Sequence, residues 1–353
     1  MSEEFEQYQK GLENLLNHQA EAVTENRSAP REMLFEQDKL KLYRYAAQHD
    51  KVMCRPPVLI VYALVNRPFI LDLQENRSLI RKLLELGLDV YLVDWGYPDH
   101  QESALGLEHY ISIYLDTCVD VVREFSGYPA INLLGVCQGG TLSLCYTSLY
   151  PDKVATLATM VTPVDFHTED NLLTNWVRHI DLDLLTEVHR NIPGAMLDKV
   201  FQSLKPFSNS IQKYMNFVAA MSDDDKAADI LENFNAMERW LADTPDQPGL
   251  MFRQFVQWFY RDNAFISDNL ILSSRAVSLR NISVPVLNIY ASLDHIVPPS
   301  SSRALGRLLG STDYQALEVR TGHIGMFVSG SSLRSTPQRI ADWLFERNPG
   351  VTA

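Results

Sequence analysis

The sequence is short of positive charge. Its 353 residues carry 31 Lys and Arg against 44 Asp and Glu, a formal net charge of −13. Nucleic-acid backbones and anionic membranes reward clustered Lys and Arg, so this balance, with no compensating basic stripe, argues against either as a partner. Cysteine is scarce as well. Cys54, Cys118, Cys137 and Cys145 form no Cys-x-x-Cys pair, and none has a histidine at zinc-ligand spacing. That excludes a disulfide framework or a structural zinc site and predicts a reduced, cytoplasmic setting. No run of 18 apolar residues occurs, and the acidic opening Met1-Ser-Glu-Glu is the reverse of a secretory signal. Neither a transmembrane segment nor a leader is expected. His-Glu-x-x-His and Gly-x-x-x-x-Gly-Lys are both missing, which removes the usual supports for zinc-protease and nucleoside-triphosphate chemistry. His18, His49, His100, His109, His167, His179 and His189 are scattered without ligand spacing, so no metal and no cofactor is predicted.

At 46% hydrophobic and 21% charged residues the composition is that of a globular protein. Tyr8, Leu12, Leu15 and Leu16 fall at helical spacing in the polar stretch Phe5 to Asn26. An amphipathic helix is expected there, inside an N-terminal helical segment 1–38, packed on this chain or another. From residue 39 short apolar runs alternate with helical patterns. Strands are predicted at Lys39 to Arg44, Val58 to Leu64, Val90 to Trp95, Ile131 to Val136, Thr156 to Val161, Val286 to Tyr290 and Ala316 to Val319. Helices are predicted at Ser78 to Leu86, His109 to Phe125, Gly140 to Tyr150, Ser301 to Leu309 and Pro337 to Arg347. Unbroken apolar strands suit a mostly parallel sheet between two helix layers, an α/β fold. The alternation stops after Val164 and resumes near Ser283. The expected division is therefore an α/β core at 39–164 and 269–353, interrupted by a helical cap at 165–268. The insert holds three of the five tryptophans and the aromatic run Phe252, Phe255, Trp258, Phe259, Tyr260. These residues form either the insert's own core or the apolar face of a lid that shapes an acyl pocket.

One window carries chemistry. The apolar strand Ile131-Asn-Leu-Leu runs into Gly135-Val136-Cys137-Gln138-Gly139 and then into a small-residue helix start. This is the nucleophile elbow of the α/β-hydrolase fold with cysteine in place of serine. A nucleophile on so tight a strand-to-helix turn needs Gly135 and Gly139 so that strand and helix can approach. The helix N-terminus behind it favours a thiolate. Cys54 and Cys145 read as small buried hydrophobes, and Cys118, on a long amphipathic helix, has no motif around it. The fold orders its machinery as nucleophile, acid, histidine. Asp294 follows the strand beginning at Val286, and His323 follows the strand Leu317-Glu-Val. His295 is an alternative base and Asp165 an alternative acid. The oxyanion hole should use the backbone N–H of Gln138 and a second N–H, from Val65 or Asn66, in the loop after the strand ending near Leu64.

A thiol attacking a thioester exchanges one thioester for another at little cost, which keeps the acyl group activated, so a coenzyme A thioester is the natural substrate. The chain resembles the polyhydroxyalkanoate synthases, in particular their short class III catalytic subunits. The resemblance rests on Pro57-Val-Leu-Ile-Val-Tyr-Ala-Leu-Val-Asn-Arg-Pro, Val93-Asp-Trp-Gly-Tyr-Pro, Asn132-Leu-Leu-Gly-Val-Cys-Gln-Gly-Gly, Met160-Val-Thr-Pro-Val-Asp-Phe, Leu293-Asp-His-Ile-Val-Pro-Pro and Gly322-His-Ile-Gly. It spans roughly residues 38 to 347. The resemblance implies that Cys137 carries the acyl chain, that His323 deprotonates it, and that Asp294 also helps activate the 3-hydroxyl that attacks the next thioester. It further implies (R)-3-hydroxyacyl-CoA, chiefly 3-hydroxybutyryl-CoA, as substrate, polyester and coenzyme A as products, and a cytoplasmic location at the surface of polyester granules. A separate partner subunit, in a homodimer or hetero-oligomer, belongs to the same expectation.

The elbow and its partners equally fit a cysteine-type hydrolase, a thioesterase or dienelactone-type enzyme. A non-catalytic granule-coating protein is a third reading, disfavoured by the intact Cys, Asp and His. An anionic coenzyme A substrate must enter against a net charge of −13. The acyl-CoA reading therefore requires basic residues at the pocket mouth, screened from distant acids at physiological salt.

Overall fold

The computed structural model describes residues 3–18, 29–46, 56–205 and 211–348. Eight strands form one sheet: β1 (Arg31–Gln37), β2 (Leu40–Tyr45), β3 (Val58–Val61), β4 (Val90–Asp94), β5 (Ile131–Val136), β6 (Val154–Met160), β7 (Val286–Ala291) and β8 (Tyr314–Val319). Their order across the sheet is β1-β2-β4-β3-β5-β6-β7-β8. The β1–β2 and β2–β4 pairs are antiparallel, and every pairing from β4 to β8 is parallel.

The inner strands β3, β4, β5 and β7 are buried at every position. Alternate side chains serve opposite faces, as the period of two requires. In β3, Leu59 and Val61 pack with Tyr110, Val119 and Leu142 on one face, while Val58 and Ile60 pack with Leu83, Ile340 and Leu344 on the other. The first layer contains the helical stretch 107–126, with a π turn at Tyr110–Leu115, and the helix Gln138–Leu149; the second contains Leu79–Glu85 and Gly330–Arg347.

One sequence expectation needs correcting. Residues 1–38 are not a purely helical segment, because β1 lies within them and pairs with β2. Arg31, Glu32, Met33 and Glu36 of β1 are exposed, and charged edge strands lack the apolar run by which a strand is recognised. The two strands meet in a tight turn at Asp38, whose φ is 54°. The N-terminal helix is described over Glu3–His18; the rest of its expected span, to Asn26, lies outside the described residues. Its partner is in this chain. Gly11 packs on the Val218 carbonyl, Asn14 donates to the Met221 carbonyl at 2.8 Å and Lys10 pairs with Asp224 at 2.7 Å.

Between β6 and β7 lie the helices Leu172–Val177, Leu182–His189, Gly194–Ser203, Ile211–Ala220, Ala227–Leu241 and Gly249–Phe255, the last running into a π turn at Val256–Arg261. This cap is tied to the sheet by side chains. Trp240 Nε1 donates to the Arg67 carbonyl at 2.8 Å, Asn66 Nδ2 to Thr244 Oγ1 at 2.6 Å and Tyr97 Oη to Asp243 at 2.8 Å. Among the described residues no helix is long and apolar enough to cross a membrane.

The loop after β3 and the loop after β4 are joined by Arg67. Its guanidinium bonds Asp94 Oδ2 and the Gly96 carbonyl, both at 2.7 Å, and lies 4.2 Å from the centroid of the Tyr97 ring. Asp94 is buried, so removing its partner strands a carboxylate. Arg67→Ala should lower the unfolding free energy by about 3 kcal/mol, the usual cost of breaking a buried pair, measured by urea denaturation. An unchanged midpoint would show that the pair does not hold these loops.

Candidate active site

Cys137 sits between β5 and the helix Gln138–Leu149 with φ 53° and ψ −123°. Its N–H donates to the Met160 carbonyl and its carbonyl accepts from Gly140 N, each at 2.9 Å. Close packing makes the turn possible. A Cβ on Gly135 would lie 2.6 Å from Gly140 Cα and 2.7 Å from Ser143 Oγ, and one on Gly139 would strike the Val61 carbonyl oxygen. Gly140 is a third such position that the elbow spacing does not mark, since a side chain there would strike Thr162. The second glycine of the Gly-Gly pair was the available signal.

The other described cysteines are different. Cys118 and Cys145 are fully buried in the core, and burial pushes both thiols well above the usual range. Cys137 alone of the three is partly exposed; Cys54 lies outside the described residues.

Asp294 and His323 come from the loops after β7 and β8, which are adjacent because those strands pair in parallel register through Ala291 and Val319. Leu293 N donates to the Thr321 carbonyl at 3.0 Å, tying loop to loop. His323 Nδ1 lies 2.7 Å from Asp294 Oδ2. Asp294 Oδ1 accepts from the N–H groups of Ile296 and Val297 at 2.9 and 3.0 Å, and the carboxylate side chain is wholly buried. The structure thus brings Cys137, His323 and Asp294 together. Of the alternatives, Asp165 is engaged elsewhere, by Asn263 and Arg307, each at 2.9 Å. His295 opens on the cavity beside Cys137, and burial lowers its basicity.

The cavity above Cys137 has a volume of about 410 Å³ and is lined by Gln138 and His323 from the core and by Trp240, Phe252 and Tyr260 from the cap. The aromatic run of the insert therefore splits. Phe252, Phe255 and Tyr260 face the cavity, while Phe259 packs against Phe166 and Phe265. Tyr62 and Tyr260 flank the nucleophile: burial, and then the charge of Cys137, raise both phenols. The sequence reading gave Tyr62 no functional role, and it named Tyr260 only within the aromatic run of the insert. Val65, Asn66 and Gln138 all line the cavity. Neither the Val65 nor the Gln138 N–H has a protein acceptor among the described residues. The cap also supplies cations. Lys213 lines the cavity and pairs with Glu238 at 2.7 Å, and the charge of Lys205, after burial, lowers the basicity of His295. Among the described residues no group of His, Cys, Asp and Glu is arranged to hold a metal.

Burial alone would push the His323 imidazole down. The Asp294 carboxylate and then the Cys137 sulfur outweigh it, raising the ring from its ordinary 6.5 to about 10. A raised histidine stabilises the fold fully below its unfolded pKa, and this contribution is lost as pH rises through about 10. In Asp294→Asn the opposing charge is gone while burial stays, so the ring should titrate about 1–3 pH units lower, followed by NMR of labelled histidine. An unchanged titration would mean that Asp294 does not set the charge on His323.

Residues 56–329 match the family described as the alpha/beta hydrolase fold. Residues 7–83 match the one described as the N-terminus of poly-beta-hydroxybutyrate polymerase (PhaC). The chain is 50% identical over 339 residues, 96% of its length and 94% of the relative's, to the poly(3-hydroxyalkanoate) polymerase subunit PhaC of Allochromatium vinosum. To the Synechocystis subunit of the same name it is 46% identical over 352 residues, 97% of this chain and 91% of that one. Among solved structures, the monoacylglycerol lipase of Paleococcus ferrophilus aligns with a TM-score of 0.52 at 16% identity, over 88% of this chain and 100% of that one. An esterase of Thermogutta terrifontis aligns with a TM-score of 0.51 at 14% identity, over 91% and 100%. These distant likenesses speak to the fold alone, whereas the close ones carry the family. The chain has the α/β-hydrolase fold and belongs to the poly(3-hydroxyalkanoate) polymerase family.

Proposed function

We propose that this poly(3-hydroxyalkanoate) polymerase transfers acyl groups through Cys137, with His323 as general base and acid and Asp294 as the group that holds His323. The observation that carries the reading is the buried Asp294–His323 pair facing Cys137 at the floor of a cap-covered cavity. His323 takes the thiol proton, and the sulfur attacks the carbonyl of an (R)-3-hydroxyacyl-CoA. The oxyanion meets the N–H groups of Gln138 and Val65. As the tetrahedral intermediate collapses, the bond to coenzyme A breaks and the imidazolium protonates the leaving sulfur. In elongation a 3-hydroxyl is the nucleophile: its proton passes to His323, the C–O bond of the oxoester forms, the C–S bond of the attacked thioester breaks, and His323 returns the proton to the leaving sulfur.

Asp294 acts through the histidine in this reading. Its carboxylate is buried with both oxygens bonded, so it has no free face for the substrate hydroxyl, contrary to the second role that the family resemblance implies. The apolar cavity fits an acyl chain, and Lys205 and Lys213 suit an anionic coenzyme A. Apolar side chains of the cap line the cavity and so disfavour water, the competitor that would make the enzyme a hydrolase. The family assignment supports polymerisation and not the hydrolase alternative. 3-Hydroxybutyryl-CoA as monomer, a separate partner subunit and residence at the granule surface complete the proposal.

Incubated with 3-hydroxybutyryl-CoA, with and without the partner subunit, the protein should release coenzyme A and form insoluble polyester. Stoichiometric free 3-hydroxybutyrate without polymer would refute the reading. Cys137→Ala should abolish coenzyme A release, while Cys118→Ala should keep most of it; equal loss in both would refute a single nucleophile. Asp294→Asn should slow acylation and elongation together, and a loss confined to elongation would place Asp294 on the substrate hydroxyl.

A further inference from the structure

The loop that offers the Val65 N–H is held from two sides. Leu64 N donates to Gln138 Oε1 at 3.0 Å, which joins the loop to the residue after the nucleophile. The Leu64 carbonyl accepts from Gln247 Nε2 at 2.8 Å, which joins it to the cap. Gln247 is only 1% exposed. Its backbone is fixed by a two-way bridge with Ile192, at 2.8 and 2.9 Å, so the amide reaches Leu64 from an ordered base.

The Leu64 carbonyl and the Val65 N–H are the two ends of one planar peptide unit. In a trans peptide they point in opposite directions, so fixing the carbonyl fixes the N–H. Val65 lines the cavity with Cys137 and Gln138, whereas Leu64 does not. A donor on the carbonyl also polarises the peptide and strengthens its N–H as a donor.

We infer that Gln247 is a positioning residue for the oxyanion hole: by holding the Leu64 carbonyl it aims the Val65 N–H at the thioester oxygen above Cys137, so acyl transfer requires a seated cap. The inference rests on the acyl-transfer reading of Cys137. Gln247 lines the cavity, but its amide N–H groups are turned to the Leu64 and Pro245 carbonyls and not to the sulfur, so it acts through the Val65 peptide. With the cap unseated, Cys137, His323 and Asp294 keep their geometry, which the core alone supplies, but the hole loses one aimed donor. The cysteine then reacts normally with an alkylating agent, whose sp³ carbon develops no oxyanion, and poorly with a thioester.

The test compares wild type with Gln247→Met, of similar size without a donor, and with Gln247→Glu. Two rates are read in each: first-turnover coenzyme A release from 3-hydroxybutyryl-CoA and Cys137 alkylation by iodoacetamide. In Gln247→Met, release should fall about 10- to 100-fold, somewhat less than loss of an oxyanion donor outright. The KM should stay within about three-fold and alkylation within about two-fold. Gln247→Glu should show the same loss at alkaline pH. Relative to wild type it should recover as pH falls, because a protonated carboxyl can again donate to the Leu64 carbonyl. That pH profile decides the matter if Gln247→Met does not fold. Parallel loss of release and alkylation, or retained release, in the variants would overturn the inference. A wild type that is alkylated yet releases no coenzyme A would instead overturn the acyl-transfer reading itself.

Discussion

Cys137 holds a backbone conformation, φ 53° and ψ −123°, that costs a non-glycine residue about 1–3 kcal/mol. The surrounding strands and helix make it unavoidable. β5 delivers the chain between β3 and β6, the Gly135, Gly139 and Gly140 contacts let the following helix start against the sheet, and the Met160 carbonyl receives the Cys137 N–H. The result is a sulfur standing clear of the sheet, with the first amides of a helix behind it. Everything else in the site is placed relative to that sulfur: Asp294 and His323 by the β7–β8 pair, the Val65 loop by β3, and the aromatic ceiling by the cap.

The electrostatics follow from the same geometry. A carboxylate, an imidazole and a sulfur neighbour one another beneath an apolar roof, and the carboxylate is compensated by two backbone N–H groups and the ring. Burial strengthens each of these interactions. The overall charge of −13 is unfavourable for an anionic substrate at long range, but screening over about 8 Å at physiological salt hands control to local charges. Of the cap lysines, Lys213 lines the cavity paired with Glu238, and Lys205 acts on His295.

Legibility in the sequence tracked how local each signal is. The inner strands are continuous apolar runs, and the elbow, Asp294 and His323 each lie in a short string whose chemistry is self-contained, so the fold class and the candidate site residues could be read directly. The edge strand Arg31–Gln37 could not, because its charged, exposed residues look like a loop or a helix. The ties between cap and core were equally invisible. Gln247 lies 183 residues from Leu64, and nothing near it in the chain announces that its amide will hold a peptide of the oxyanion loop. Tyr62 was read as a strand residue and Tyr260 as one of several aromatics in the insert. Their position beside the nucleophile emerges only when the cap folds over the sheet.

The central claim is that the growing acyl chain is carried on the elbow sulfur and nowhere else in the protein. Rapid acid quenching after brief exposure to 3-hydroxybutyryl-CoA, followed by proteolysis and mass spectrometry of every cysteine-containing peptide, tests it directly. 3-Hydroxybutyryl adducts, and their oligomers, are expected on the peptide containing Cys137 alone. Adducts on the peptides of Cys54, Cys118 or Cys145, with Cys137 unmodified, would contradict it.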